Sequence, residues 1–193
     1  MEEIKRRTTI LNDALRVFQT QVLVSVPNCE LACLQLRKMY ELIAFATLSA
    51  NRERYARIRQ SYEKDWDIAW ITKLIENVNP RFLPIPITEE ETGDPNIRFN
   101  IVEKPAPRLD RRELVRRHGI LSDMLHAQNP YRPSPDYKKW FERVVIWRDE
   151  LVALLNVHQA IIDDRTFYRV AMQTDETGDV QVAVMELFKE AAK

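Results

Sequence analysis

The chain has 193 residues, and its 29 basic side chains (Lys and Arg) balance 29 acidic ones (Asp and Glu). This balance excludes a globally basic nucleic-acid coat and an acidic tail. Only 3 glycines stand against 10 prolines, which disfavours glycine-rich phosphate loops, Rossmann turns and many-stranded barrels, whereas 45% hydrophobic residues suit a folded, mostly helical domain.

Apolar residues at helical spacing predict four helical segments in the first part of the chain. They cover residues 2–24, about 27–50, 52–60 and about 63–78. Asn51 is a candidate N-cap for the third segment, and Asn79-Pro80 ends the fourth. We expect the fourth helix to present one apolar stripe, formed by Trp66, Trp70, Leu74 and Val78.

Residues 80–109 differ in kind, because they contain six of the ten prolines and helix is excluded through most of them. Residues 92–96 are typical of a turn, and residues 97–102 alternate like a short strand. A structureless loop of this length would be unusual. We therefore expect an ordered excursion that packs on the helices.

Two helices and a hairpin are predicted in the remainder. Asp110 and Glu113 have the spacing of a capping box, which predicts a helix from there to about residue 127. Ser134-Pro135 predicts the start of a last helix that runs to about residue 161. Residues 166–174 and 179–187 alternate around a turn and predict a hairpin. We expect it to pack on the helices or on the strand near Phe99, since an isolated hairpin is marginal in water.

Together these elements predict a mainly α fold, a bundle of about five or six helices in a single domain over residues 1–193. Its parts are helices over 1–79, a Pro-rich excursion over 80–109, helices over 110–162 and a C-terminal β-hairpin over 166–188. No secretory signal is visible, and the longest apolar run, residues 42–48, is too short to span a membrane. We expect a cytoplasmic protein without a membrane partner.

Few residues could hold a metal ion. Cys29 and Cys33 share one helix face, and a core role is favoured because a zinc site needs about four ligands. The sequence contains no HExxH, P-loop, GxSxG or CxxC motif. We expect neither a metal nor another cofactor.

The densest functional feature is a cluster of arginines around residue 112. Arginine forks suit phosphate oxygens, so one interpretation is an RNA or phosphate site. The alternative is a solvated helix face paired with carboxylates from other segments, such as residues 89–91. The cluster consists of Arg108, Arg111, Arg112, Arg116 and Arg117.

The segment Arg111-Arg112-Glu-Leu-Val-Arg-Arg-His118 contains an arginine followed after five or six residues by a histidine. This arrangement resembles the signature of HEPN domains. An upstream segment, Leu36-Arg-Lys-Met-Tyr-Glu41, resembles the Arg-rich, Glu-bearing second helix of that superfamily. The resemblance extends over about residues 1–160. It implies an α-helical bundle, commonly a dimer, whose active members are metal-independent ribonucleases of toxin–antitoxin, abortive-infection and CRISPR-associated systems.

The resemblance also implies roles for individual residues. His118 would be the general acid/base at a ribose 2′-OH and phosphate, and Arg112, or its neighbour Arg111, would stabilise charge in the transition state. Glu41 lies in an apolar helix and needs a partner, either Arg37 one turn earlier or Arg112. The expected substrate-binding residues are Arg111, Arg116, Arg117 and His126.

Each histidine also has a structural interpretation. His118 falls on the apolar stripe of its own helix, with Leu114 and Leu121, which is typical of a core histidine. His126 could cap the C-terminus of that helix. His158 falls on the apolar stripe of the last predicted helix, and a core position is favoured.

Three functions stay open. The first is a HEPN-like protein of a bacterial defence or toxin module, a homodimer that binds RNA or cleaves it without a metal; an exposed groove holding both His118 and Arg112 would favour it. The second is a non-catalytic module whose hairpin edge and Pro-rich segment recruit a protein partner, an antitoxin or defence-system component. The third is a small-molecule-binding helical sensor, favoured by a closed apolar cavity near Trp66 and Trp147.

Overall fold

A computed structural model describes residues 1–20, 26–95, 97, 99–127, 129–173 and 178–187, with the side chains of 18–20 left out. Within these residues, six α-helices accompany a five-stranded antiparallel sheet, so the fold is mixed α/β. The prediction of a mainly α bundle with a single hairpin is wrong. Two strands that the sequence did not predict account for the difference. One covers residues 85–91 of the Pro-rich segment, and the other covers residues 157–161 after the last helix.

The helices form one layer around a central helix. They are α1 (Glu2–Thr20), α2 (Val26–Ala50), α3 (Arg52–Ile58), α4 (Ile68–Val78), α5 (Arg111–Met124) and α6 (Tyr137–Leu155), with a short 3-10 turn at Tyr62–Lys64. Because α2 contacts all five other helices, much of its surface is buried, including the free thiols Cys29 and Cys33. No helix in the described ranges has both the length and the apolar composition needed to cross a membrane.

The sheet contains β1 (Ile85–Glu91), β2 (Phe99–Glu103), β3 (Val157–Ile161), β4 (Thr166–Ala171) and β5 (Gln181–Glu186). The strand order is β2-β1-β3-β4-β5, and each neighbouring pair is antiparallel. The expected pairing of β4 with β5 is present, with Tyr168 opposite Val184. The hairpin packs beside β3, whereas the strand that begins at Phe99 forms the opposite edge of the sheet.

The last helix is shorter at both ends than the sequence pattern predicts. It begins after Asp136, whose carboxylate accepts from the backbone N–H of Lys139, rather than at Ser134-Pro135. It ends at Leu155, and the next residues form β3 between β1 and β4. His158 is buried as expected, but it lies on this strand, opposite Pro86.

The apolar stripe predicted for residues 63–78 is also wrong. Asp67 caps α4 by accepting from the backbone N–H groups of residues 69 and 70, so Trp66 precedes the helix. Trp66 is 80% exposed and Trp70 is 45% exposed. The face of α4 that enters the core consists instead of Ile68, Ile71, Thr72 and Ile75. The predicted first helix is described as far as Thr20, and its last four predicted residues, 21–24, lie outside the described residues.

Candidate functional site

The start of α5 is fixed by its N-cap. The carboxylate of Asp110 accepts a 2.7 Å hydrogen bond from the backbone N–H of Glu113. This is the first half of the capping box expected from the sequence. The side chain of Glu113 turns along the helix instead and accepts from Arg116 and Arg117.

His118, on α5, meets two side chains of α2. Its Nε2 atom lies 3.1 Å from Oε1 of Glu41 and 3.3 Å from Nε of Arg37. The side chain of His118 is 20% exposed and that of Glu41 is 15% exposed. The three residues therefore form a polar contact between α2 and α5 that solvent still reaches, and we call it the His118 site.

The carboxylate of Glu41 is held by cations from its own helix. It accepts from Nζ of Lys38 at 2.7 Å and pairs with Nε of Arg37 at 3.2 Å. Burial raises the pKa of Glu41. The hydrogen bonds from Lys38 and His118, together with the charges of Lys38 and Arg37, lower it by more, so the pKa lies below its ordinary value. Glu41 is thus a carboxylate at neutral pH. Of the two partners that the sequence predicted for it, Arg37 and Arg112, the structure shows Arg37.

The position of Nε2 lets His118 keep a partner in either protonation state. A neutral ring with its proton on Nδ1 accepts from Arg37, and a ring with a proton on Nε2 donates to Glu41. The imidazole is therefore held in one place by partners on α2 while part of its ring stays open to solvent.

Arg117, predicted to bind substrate, contacts side chains of three helices. Its side chain is only 11% exposed and pairs with Glu113 and with Glu150 of α6. It also donates to the Tyr40 hydroxyl at 3.3 Å and lies over the ring of Trp147, 5.2 Å from the centroid. Burial raises the pKa of Tyr40 to about 12, so the hydroxyl stays protonated. Arg117 thus joins α2, α5 and α6.

Of the other three predicted arginines of α5, two pair with carboxylates and the third pairs with no described residue. Arg111 donates to Glu76 of α4 at 2.8 Å. Arg116 pairs with Glu113 and is 52% exposed. Arg112 is exposed and makes no hydrogen bond or ion pair with any described residue. The arginine cluster is therefore partly neutralised, although not by the acidic run at residues 89–91.

Arg112 and His118 are not brought together within this chain. On a helix, six positions separate two residues by about 9 Å along the axis and about 120° around it. His126 is exposed beyond the end of α5. Sequence reasoning missed Lys38 as a cation of the site, although its spacing of three residues from Glu41 was a signal for that pair.

Searches for metal-binding groups and for similar proteins complete the description of this site. Among the described residues, no three His, Cys, Asp or Glu side chains are grouped so that they could hold a metal ion. Comparisons with protein-family models, curated proteins and solved structures find no match. Function is therefore inferred from the geometry of the site.

Proposed function

We propose that the protein binds RNA and cleaves it without a metal ion, with His118 as the general base and Arg37 as the stabilising cation. The observation that carries this proposal is the contact of a partly exposed histidine with both a carboxylate and a guanidinium. The HEPN resemblance of residues 111–118 and 36–41 supports the same chemistry and implies a homodimer.

In the proposed reaction, His118 takes the proton of a ribose 2′-OH as that oxygen attacks the neighbouring phosphorus. The bond from phosphorus to the 5′ oxygen breaks, and this oxygen takes a proton from water. The products are a 2′,3′-cyclic phosphate and a 5′-hydroxyl. Glu41 acts as a positioning residue, since its carboxylate holds the imidazole and stabilises the charged ring that forms.

The charges around His118 support the binding of a phosphate. Arg37 and Lys38 give two cations against the single carboxylate of Glu41, and their side chains are 33% and 42% exposed. Guanidinium groups at this position could donate to the phosphate oxygens that gain charge in the transition state. The exposed Arg112 lies about 9 Å farther along α5 and could contact a different part of the RNA backbone.

The test is cleavage of total and structured RNA in EDTA by the wild type and by His118→Ala. We expect products that end in a 2′,3′-cyclic phosphate, and a loss of about a hundredfold or more in His118→Ala. Circular dichroism checks that both proteins are folded. Intact RNA with folded wild type, or equal cleavage by the variant, would overturn the proposal.

A second candidate function, a protein-interaction module, is favoured by the edge of the sheet. β5 is an edge strand with two exposed apolar residues, Val182 at 57% and Val184 at 64%, and Leu187, the residue after the strand, is 53% exposed. An exposed edge of this kind can pair with an extended segment of a partner protein.

The test of this second candidate is cross-linking in cells. We expect a partner cross-linked through β5 to be lost in Val184→Lys and retained in Val152→Lys, a control on the exposed face of α6. Equal cross-linking of both variants would contradict a role for β5.

A further inference from the structure

An apolar cavity of about 370 Å³ lies between the C-terminal half of α2 and the sheet. Its apolar wall includes Ile43 and Ala46 of α2, Leu155 at the end of α6, and Val170 of β4. None of the three residues of the His118 site lines it. It also lies apart from Trp66 and Trp147, where the sequence would have placed a ligand cavity.

One buried histidine contributes to this cavity. His158 lines it and is 2% exposed, and its Nδ1 lies 2.8 Å from the backbone oxygen of Leu155. Because burial lowers the pKa of His158 to about 4, the ring is neutral and Nδ1 donates to Leu155. Nε2 is then a hydrogen-bond acceptor, and no described residue donates to it.

Besides the N-terminal residue Met1, the wall includes polar side chains without a formal charge. The hydroxyl of Thr47 donates to the backbone oxygen of Ala44 at 2.8 Å, so its lone pairs remain as acceptors. Tyr168 lines the cavity from β4. No Asp, Glu, Lys or Arg of the described residues lines it. A cationic ligand would lose hydration here without a counter-ion and would meet the N-terminal ammonium of Met1, and a carboxylate would bring no donor for Nε2 of His158. A neutral molecule with one donor would satisfy Nε2.

We propose that this cavity binds a compact, neutral, apolar small molecule whose single hydroxyl or N–H group donates to Nε2 of His158. The volume lies at the lower end of the range of small-molecule pockets, about 300–1,000 Å³. It is too small for a helix or a folded partner, so we assign a small molecule as the occupant. This binding is independent of RNA cleavage, because the two sites share no residue.

The first test compares two probes, indole and 1-methylindole, by isothermal titration calorimetry. The methyl group removes the N–H donor and adds apolar surface. If apolar burial alone decided binding, 1-methylindole would bind more tightly. We expect the opposite order, with saturable indole binding about tenfold tighter than that of 1-methylindole, because the lost donor leaves Nε2 of His158 unsatisfied. Absence of saturable indole binding to folded protein, or tighter binding of 1-methylindole, would overturn the proposal.

The second test asks whether indole binds in this cavity, by comparing two Ala→Leu variants, one inside the cavity and one outside it. Ala46→Leu fills the cavity from α2, and Ala153→Leu adds the same atoms to the exposed face of α6. We expect indole affinity to fall about tenfold or more in the first variant and to stay unchanged in the second. In His158→Phe the preference for indole over 1-methylindole should disappear. If Ala46→Leu binds indole as the wild type does, the proposed site is wrong, whether or not His158→Phe folds.

Discussion

Nη1 of Arg117 lies 2.5 Å from Oε2 of Glu150, and this ion pair joins α5 to α6. Removing the guanidinium would leave Glu150, Glu113 and the Tyr40 hydroxyl without their shared donor. We therefore expect Arg117→Ala to lower the free energy of unfolding by about 2–4 kcal/mol, since it removes a mostly buried side chain that pairs with two carboxylates and packs on Trp147. Urea denaturation followed by circular dichroism measures the change.

Arg116→Ala is the matched control for Arg117→Ala. It removes a neighbouring arginine that also pairs with Glu113 but is 52% exposed. Exposed pairs contribute about 0–1 kcal/mol, so we expect a small change in the free energy of unfolding. Equal destabilisation by the two substitutions would show that Arg117 does not hold the helices together.

Helices could be predicted from the sequence where capping residues and apolar periodicity agreed. Two strands could not be predicted, because the local sequence signals there were ambiguous. The pattern around residues 27–50 predicted α2, and Asp110 predicted the first turn of α5. β3 was missed because residues 156–161 continue the apolar spacing of α6 without a glycine or proline. Their strand conformation depends on pairing with β1 and β4, which a local pattern does not contain. β1 was missed because prolines at 84 and 86 flank its start.

The same limit applies to the site. The pair Arg37–Glu41 follows from helical spacing and was predictable. Glu41 and His118 are 77 positions apart in sequence and lie on different helices, so only tertiary packing reveals their contact. For the same reason, the sequence could suggest a charged role for Arg117 but not its burial against Trp147.

The proposed reaction predicts different effects for two arginines. Arg37→Gln removes the guanidinium beside His118, and we expect RNA cleavage to fall about tenfold to a hundredfold. Arg112→Gln removes an exposed charge remote from the imidazole. We expect its cleavage rate at saturating RNA to stay within about threefold of the wild type, while RNA affinity falls and its salt dependence weakens by about one charge.

Single-turnover cleavage and fluorescence anisotropy at several salt concentrations measure these two effects separately. Arg57→Gln, an exposed arginine on α3, is the control for a general loss of charge. A larger loss of cleavage in Arg112→Gln than in Arg37→Gln would favour the arginine originally suggested by the HEPN signature, and would contradict the role proposed for Arg37.

Buried His158 predicts a particular pH dependence of stability. Its pKa is lowered by burial from an ordinary value near 6.5 to about 4 in the folded protein. Between these values the unfolded chain binds the proton and the folded protein does not, so stability falls as the pH drops from about 6.5 to about 4. The full effect is about 3 kcal/mol.

Urea denaturation across this pH range compares the wild type with His158→Gln. We expect a shallower loss of stability in the variant, whatever its stability at neutral pH. The pKa of Glu113 is lowered from 4.5 to about 2, so its contribution begins to be lost near the lower end of this range, but the loss is the same in both proteins and cancels in the comparison. Parallel pH profiles for the two proteins would rule out a neutral buried His158.

Asn79 links the helical layer to the sheet, and its loss should be costly. Its Nδ2 donates to Oδ1 of Asn51 and to the backbone oxygen of Ile161, each at 2.8 Å, and its Oδ1 accepts from the N–H of Arg81. Asn79 and Asn51 are both buried. Asn79→Ala leaves the buried Oδ1 of Asn51 and the partly buried backbone oxygen of Ile161 without this donor, and we expect it to lower the free energy of unfolding by about 2–4 kcal/mol.

Asn77→Ala, on the exposed face of α4, is the control for Asn79→Ala, and it should change the free energy of unfolding by about 0.5 kcal/mol at most.

Asn51 was expected to cap α3, but its side chain makes no capping hydrogen bond and pairs with Asn79 instead. A double-mutant cycle of Asn51→Ala and Asn79→Ala separates these roles by urea denaturation. If Asn51 acted as a cap and Asn79 as a separate link, the two losses in the free energy of unfolding would add. If both belong to one buried network, the double mutant should differ from that sum by about 1 kcal/mol or more.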